Sequence, residues 1–288
     1  MNKTFCILEQ GSSVNDPETI KKKEMFSTSF SSFYRLNWKT DSDPNANFFA
    51  PKTVWSEGRS TLFDQVSKEY DYYIFTDDDA SFSTQSPNGV AEEIKRVLEH
   101  YKPLAGTFFI SSKKGGWFFD VDLQHNDCKD KEAFLIAGFD LCVHIFHRSF
   151  AEVMFPVIHH GSGKCMWYAH WACHTLFPQK QMCFTNVFYE NTRADPHENE
   201  KNPQYIEPNE VVKLFNESIR GTEKIWNDRD EVTALNMQLL QNYDNSDQSK
   251  PSIEPIEFNI DILDSIYDTK NSAFKLRSPR ASKQSEDS

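Results

Sequence analysis

Apolar residues in the first 110 positions fall into short blocks whose spacing switches between strand and helix periods. Thr4 to Leu8 and Phe33 to Trp38 (FYRLNW) are short, largely apolar runs of strand length. Between them Asp16-Pro17 supplies an N-cap and a first-turn proline, which predicts a helix start. Gly58 to Tyr70 carries Leu62, Phe63 and Val66 on one helical face, and Asp71 to Thr76 (DYYIFT) follows as an aromatic-rich strand. Asn88 to Tyr101 has the clearest helical stripe: Val90, Ile94, Val97, Leu98 and Tyr101. Pro103 closes it, and LAGTFFI reads as the next strand.

Strands alternating with helices predict βαβ units in an α/β fold, with a mostly parallel sheet that binds ligands at its carboxyl edge. From Gly116 to His147 strand-like segments succeed one another, which predicts an antiparallel or mixed extension of the sheet. A helix over Gly163 to Phe177 and a last strand over Met182 to Tyr189 complete this part. Asn209 to Tyr243 reads as one or two amphipathic helices. Residues 246–288, rich in Ser, Asp, Lys and Pro, read as a mobile tail in which Ile256 to Tyr267 is a docking segment for the core or for a protein partner.

Composition narrows the function. The formal charge of −12 argues against a nucleic-acid partner, because phosphate backbones are bound through clustered Lys and Arg. The six cysteines are scattered without a CxxC pair, so free thiols in a reducing compartment are expected. No run reaches the length of a transmembrane helix, since Asp140 interrupts the most apolar stretch, Phe134 to Phe146. The start, MNKTFCILEQ, lacks the apolar centre of a signal peptide, and the expectation is a cytoplasmic protein without a membrane span.

The chemistry concentrates in YDYYIFTDDDASF, where Asp77, Asp78 and Asp79 follow an apolar strand. Three adjacent anions need full solvation or a cation. Hard oxygen ligands of this kind suit Mg²⁺ or Mn²⁺, which take one or two carboxylates together with phosphate oxygens. A solvated acidic turn is the competing reading of the triplet alone.

The longer segment from Val54 to Asp79, VWSEGRSTLFDQVSKEYDYYIFTDDD, resembles the nucleotide-sugar-dependent glycosyltransferases of the type A fold. In that family an Asp-x-Asp motif follows such a strand. The resemblance, which covers roughly Thr4 to Tyr205, implies a Rossmann-like mixed sheet flanked by helices as a catalytic domain at 1–206, and periodicity and composition add a helical extension at 207–245 and a tail at 246–288. It implies a nucleotide-sugar donor, a glycan or other hydroxyl acceptor, and Mn²⁺ or Mg²⁺ as cofactor. Asp77 would face the ribose or a cation-bound water, Asp78 would be the intervening position, and Asp79 would ligate the metal. Arg59 would meet a phosphate or the base, and His197, in the polar loop after the last strand, would be a further metal contact. A solvated Arg and a surface His are the respective alternatives.

On the acceptor side Asp140 stands alone between two apolar segments, where an uncompensated charge is costly. A carboxylate so placed is a candidate general base, its pKa raised by desolvation, and a turn-capping Asp is the alternative. Asp120, Asp122, His125 and Asp127 form a rival acidic group that a phosphoesterase or nucleotidyltransferase would use for a second metal. His170 and His174 have zinc-hydrolase spacing, but Trp171 stands where those enzymes need Glu. Trp167, Tyr168 and Trp171 read as a buried helix face before a sugar platform. The absence of a Walker loop and of Gly-x-Gly-x-x-Gly excludes kinase and dehydrogenase readings. A catalytically silent interaction protein on the same fold is the rival from outside enzymology.

Overall fold

The computed structural model describes residues 3–51, 53, 55–110, 131–136, 142–161 and 181–192. The elements run β1 (Phe5–Gly11), α1 (Pro17–Phe26), β2 (Ser31–Asn37), β3 (Phe48–Phe49), α2 (Trp55–Gln65), β4 (Tyr72–Asp77), β5 (Ala80–Thr84) and α3 (Val90–Tyr101). They continue with β6 (Ala105–Ile110), β7 (Ala133–Ile136), β8 (Val143–His147), α4 (Arg148–Gly161) and β9 (Gln181–Asn191). The expected helical extension at 207–245 and tail at 246–288 lie outside the described residues.

The strands form one mixed sheet in the order β3-β2-β1-β4-β8-β6-β9-β5, with β7 also paired to β9. β1, β2, β3 and β4 are mutually parallel, as are β6 and β9. β8 runs antiparallel to both β4 and β6, so it sits inside the sheet, where the sequence predicts an extension of it. The β6–β9 register shifts between Phe108 and Phe109, and the irregularity divides β9. Its first half pairs β7 through Gln181 to Phe184, and its second half pairs β5 through Val187 to Asn191.

β1 is buried along its whole length, as a central strand covered on both faces must be. Alternation along β4 shows the two faces. Tyr72 and Ile74 join a core with Phe26 of α1 and Ile94, Val97 and Leu98 of α3. Tyr73 and Phe75 point the other way, against Phe63 of α2 and Phe155 of α4, at ring-centroid distances of 5.0 Å (Phe63–Tyr73) and 4.7 Å (Phe75–Phe155). Two helical layers thus enclose the sheet.

The helix starts follow local chemistry. Asp16 caps α1 by accepting from Glu18 N at 2.9 Å, with Pro17 in the first turn. α1 has no strong apolar stripe, because its buried positions are Thr19, Lys22 and Phe26, two of them polar. α3 ends where Lys102 turns left-handed (φ 47°) and its N–H bonds Leu98 O. α2 spans Trp55 to Gln65, earlier at both ends than the predicted Gly58 to Tyr70, because Tyr70 is used in the turn into β4, bonded to Tyr34 at 2.8 Å. Neither β5 nor α4 was expected from the pattern.

Phe75 is fully buried between Phe146 and Phe155. Replacing it by Ala should cost about 3–5 kcal/mol, read as a shift of the urea midpoint without a change in slope.

Candidate metal centre

β4 delivers Asp77 to the carboxyl end of the parallel strands, and the chain turns through Asp78 and Asp79 directly into β5. The backbone of this turn is held from several elements. Asp77 N donates to Cys142 O at 3.3 Å, and Asp78 N to Gln10 O at 3.1 Å. Thr192, just past β9, donates to Asp79 O from both its backbone N and its hydroxyl, each at 2.9 Å. Lys22 Nζ reaches from α1 to Asp77 O at 3.0 Å and Asp78 O at 3.2 Å.

Lys22 belongs to a buried ionic group. Its ammonium pairs with Glu9 Oε2 at 2.5 Å, and Glu9 Oε1 accepts from Arg35 Nη1 and from Thr19 Oγ1. Arg35 also donates to Asp43 at 2.8 Å and to Ser13 O at 2.6 Å. All four charged side chains are buried, and their signs balance. Pairing and hydrogen bonding are what permit such burial. Burial pushes the Asp43 carboxyl up, but hydrogen bonds from Asn37, Arg35 and the Asn45 amide, with the Arg35 charge, hold it below the usual aspartate range.

The three carboxylates of the turn have different surroundings. Asp78 Oδ2 accepts from Ser12 N at 3.1 Å and Ser13 N at 3.4 Å, which anchors the loop after β1. Gly11 makes that approach available: a Cβ there would lie 2.4 Å from Asp78 Oδ2. Asp77 Oδ1 accepts from Trp55 Nε1 and Arg59 Nη2, both at 2.9 Å. Arg59 stacks on the Trp55 ring 3.8 Å from its centroid, with Nη1 at 3.4 Å from His144 Nδ1. Asp79 differs from both, because its Oδ1 is buried and has no hydrogen-bond partner among the described residues. Burial first, then the charges of Asp77 and Asp78, push its pKa up to about 7, with Lys22 opposing.

Carboxylate oxygens of Asp77 and Asp79 and the Cys142 sulfur lie within 4.8 Å of one another. An orphaned, buried carboxylate oxygen with a raised pKa is a group waiting for a proton or a cation. Two carboxylates at one strand end fit a hard divalent ion, and the thiol adds a softer donor.

Of the residues singled out from sequence, Asp77, Asp78, Asp79 and Arg59 come together here. Arg59 is 2% exposed and directed at Asp77. Asp140, His197, the Asp120 to Asp127 group and the His170/His174 pair lie outside the described residues. Sequence reasoning did not single out Glu9, Lys22, Arg35, Trp55, Cys142 or His144. The available signals were charged residues inside otherwise apolar strands, Glu9 in β1 and Arg35 in β2.

No family model matches this sequence, and no curated protein matches it. Among solved structures, GalNAc-T7 with UDP, GalNAc and Mn²⁺ is similar at a TM-score of 0.50 and 9% identity, over 82% of this chain and 54% of that one. The mannosyltransferase PcManGT from Pyrobaculum calidifontis, in complex with GDP-Man and Mn²⁺, gives 0.49 and 11%, over 77% and 66%. A 4-diphosphocytidyl-2C-methyl-D-erythritol synthase from Anaerococcus prevotii gives 0.42 and 10%, over 67% and 90%. The likeness to GalNAc-T7 is one of fold, and this chain spans about half of that structure's length. The fold is the type A glycosyltransferase fold, a mixed sheet flanked by helices.

The raised pKa of Asp79 has a stability consequence whose sign is fixed. Between about pH 4 and 7 the folded protein keeps the proton that the unfolded chain releases, so stability falls as pH rises through that window. Asp79→Asn, which carries no charge, should therefore be more stable than wild type in chelator at pH 8, by about 1–3 kcal/mol after allowance for partial exposure. The gain should vanish near pH 4. Urea titrations at the two pH values measure it.

Proposed function

We propose that this chain is a metal-dependent glycosyltransferase that moves a sugar from a nucleotide-diphosphate donor to a hydroxyl acceptor. The observation that carries the reading is Asp79 Oδ1, buried and unpartnered among the described residues, at the carboxyl end of β4 in a type A fold. Ligands of open α/β sheets bind at that edge. GalNAc-T7, on the same fold, holds Mn²⁺ in its structure, which supports a divalent cation of this kind here.

In this reading Asp79 is the principal protein ligand. Asp77 contributes its second oxygen while Arg59 and Trp55 hold the first, which fixes its orientation. Asp78 positions the loop of Ser12 and Ser13 beside the donor. When bound, the cation supplies neutralisation of the diphosphate leaving group, so no protein acid is needed at the bond that breaks. His197 is assigned as a further ligand and Asp140 as the base that takes the acceptor hydroxyl proton, both on the sequence argument.

Calorimetry with UDP and GDP tests the donor half. Binding of one nucleotide should require Mn²⁺ or Mg²⁺ and be lost in Asp79→Ala, and equal affinity in EDTA would overturn the reading. For the acceptor half, Asp140→Asn should lower transfer by ~10²-fold or more while donor and metal affinity stay near wild type. Transfer at near wild-type rate would remove Asp140 from the chemistry.

A further inference from the structure

Cys142 is the residue immediately before β8, and it is 3% exposed. Its carbonyl accepts from Asp77 N at 3.3 Å and from Arg59 Nη2 at 3.4 Å, so its backbone is fixed against the acidic turn. Its sulfur is within 4.8 Å of carboxylate oxygens of both Asp77 and Asp79. Three donors about 2.0–2.3 Å from one ion are about 3–4 Å apart at octahedral, tetrahedral or trigonal angles, so side-chain adjustment of up to about an ångström brings all three onto one cation.

Resting on the metal reading of Asp77 and Asp79, we propose that Cys142 is a protein ligand of the same ion and makes the site selective for thiophilic divalent cations over Mg²⁺. The chemistry is that of the donor set. Mg²⁺ demands oxygen ligands in near-ideal octahedral geometry, whereas Mn²⁺, Co²⁺, Zn²⁺ and Cd²⁺ accept sulfur increasingly well. On coordination the S–H bond breaks, its proton passes to solvent, and the sulfur lone pair forms the bond to the metal, without change of oxidation state. Asp79, whose Oδ1 is buried and has no hydrogen-bond partner among the described residues, belongs to the turn that follows β4, the strand paired with β8.

Cobalt separates this proposal from the reading beneath it. The full chain, freed of metal by chelation, is titrated with Co²⁺ and followed by absorption, where bound Co²⁺ gives visible bands and a thiolate ligand adds a near-ultraviolet sulfur-to-cobalt charge-transfer band. Wild type should show both. Cys142→Ser and Cys142→Ala should keep visible bands and lose the charge-transfer band, while Cys183→Ser, at a buried thiol on β9, should keep both. Mn²⁺ affinity should fall about tenfold or more in the Cys142 variants, with Mg²⁺ affinity little changed. Visible bands without a charge-transfer band in wild type, or a band that survives in both Cys142 variants, would overturn the thiolate ligand and leave the carboxylate site standing. No binding of Co²⁺ or Mn²⁺ to wild type would overturn both.

Discussion

Lys22 carries one positive charge into the interior and spends it beneath a turn of three aspartates. Its ammonium meets Glu9 on β1 and the carbonyls of Asp77 and Asp78 at the end of β4, so a helix, a central strand and the acidic turn share one cation. A buried ion pair of this kind is weak evidence of net stability, because well-packed apolar residues often do as well. Its value here is positional. An apolar side chain at Lys22 would leave two turn carbonyls without that donor and would take the ion-pair partner from Glu9 Oε2, while Oε1 keeps Arg35 and Thr19.

With the backbone of the turn fixed, the three carboxylates divide their tasks. Asp78 is committed to the amides of Ser12 and Ser13, and one oxygen of Asp77 to Trp55 and Arg59. That leaves Asp79, whose Oδ1 has no hydrogen-bond partner among the described residues, and burial and the charges of Asp77 and Asp78 raise its pKa further than Lys22 lowers it. The turn therefore has a rigid frame and one electrostatically strained corner, Asp79. Preorganised ligands are what allow a cation to bind without reordering the chain around it.

Much of the parallel half of the fold is legible in the sequence, because β1, β2, β4 and α3 announce themselves by apolar runs or stripes and α1 by its Asp-Pro cap. The acidic cluster is legible for the same reason, since an apolar strand ends in it. The insertion of β8 between β4 and β6 is not, because pairing across more than sixty residues leaves no mark on local periodicity. The polar buried face of α1 is not legible, because periodicity marks apolar stripes and here Thr19 and Lys22 face Glu9. Cys142 and His144 belong to an apolar run and carry no local sign of reaching Asp77 and Arg59.

The tie between Asp79 and Thr192 bears on how the protein reaches its native state. The hydrogen bonds that shape the turn join residues 113, 66 and 55 positions apart, through Thr192, Ser12 and Lys22. Contacts of such long range form slowly, because the entropy of closing the intervening chain is spent before any of them is rewarded. The acidic corner is therefore assembled only after strands from both ends of the described chain have docked, and a nascent chain that stops short of β9 lacks one wall of it. The grouping of Asp77, Asp79 and Cys142 thus exists only once these distant segments have closed on one another.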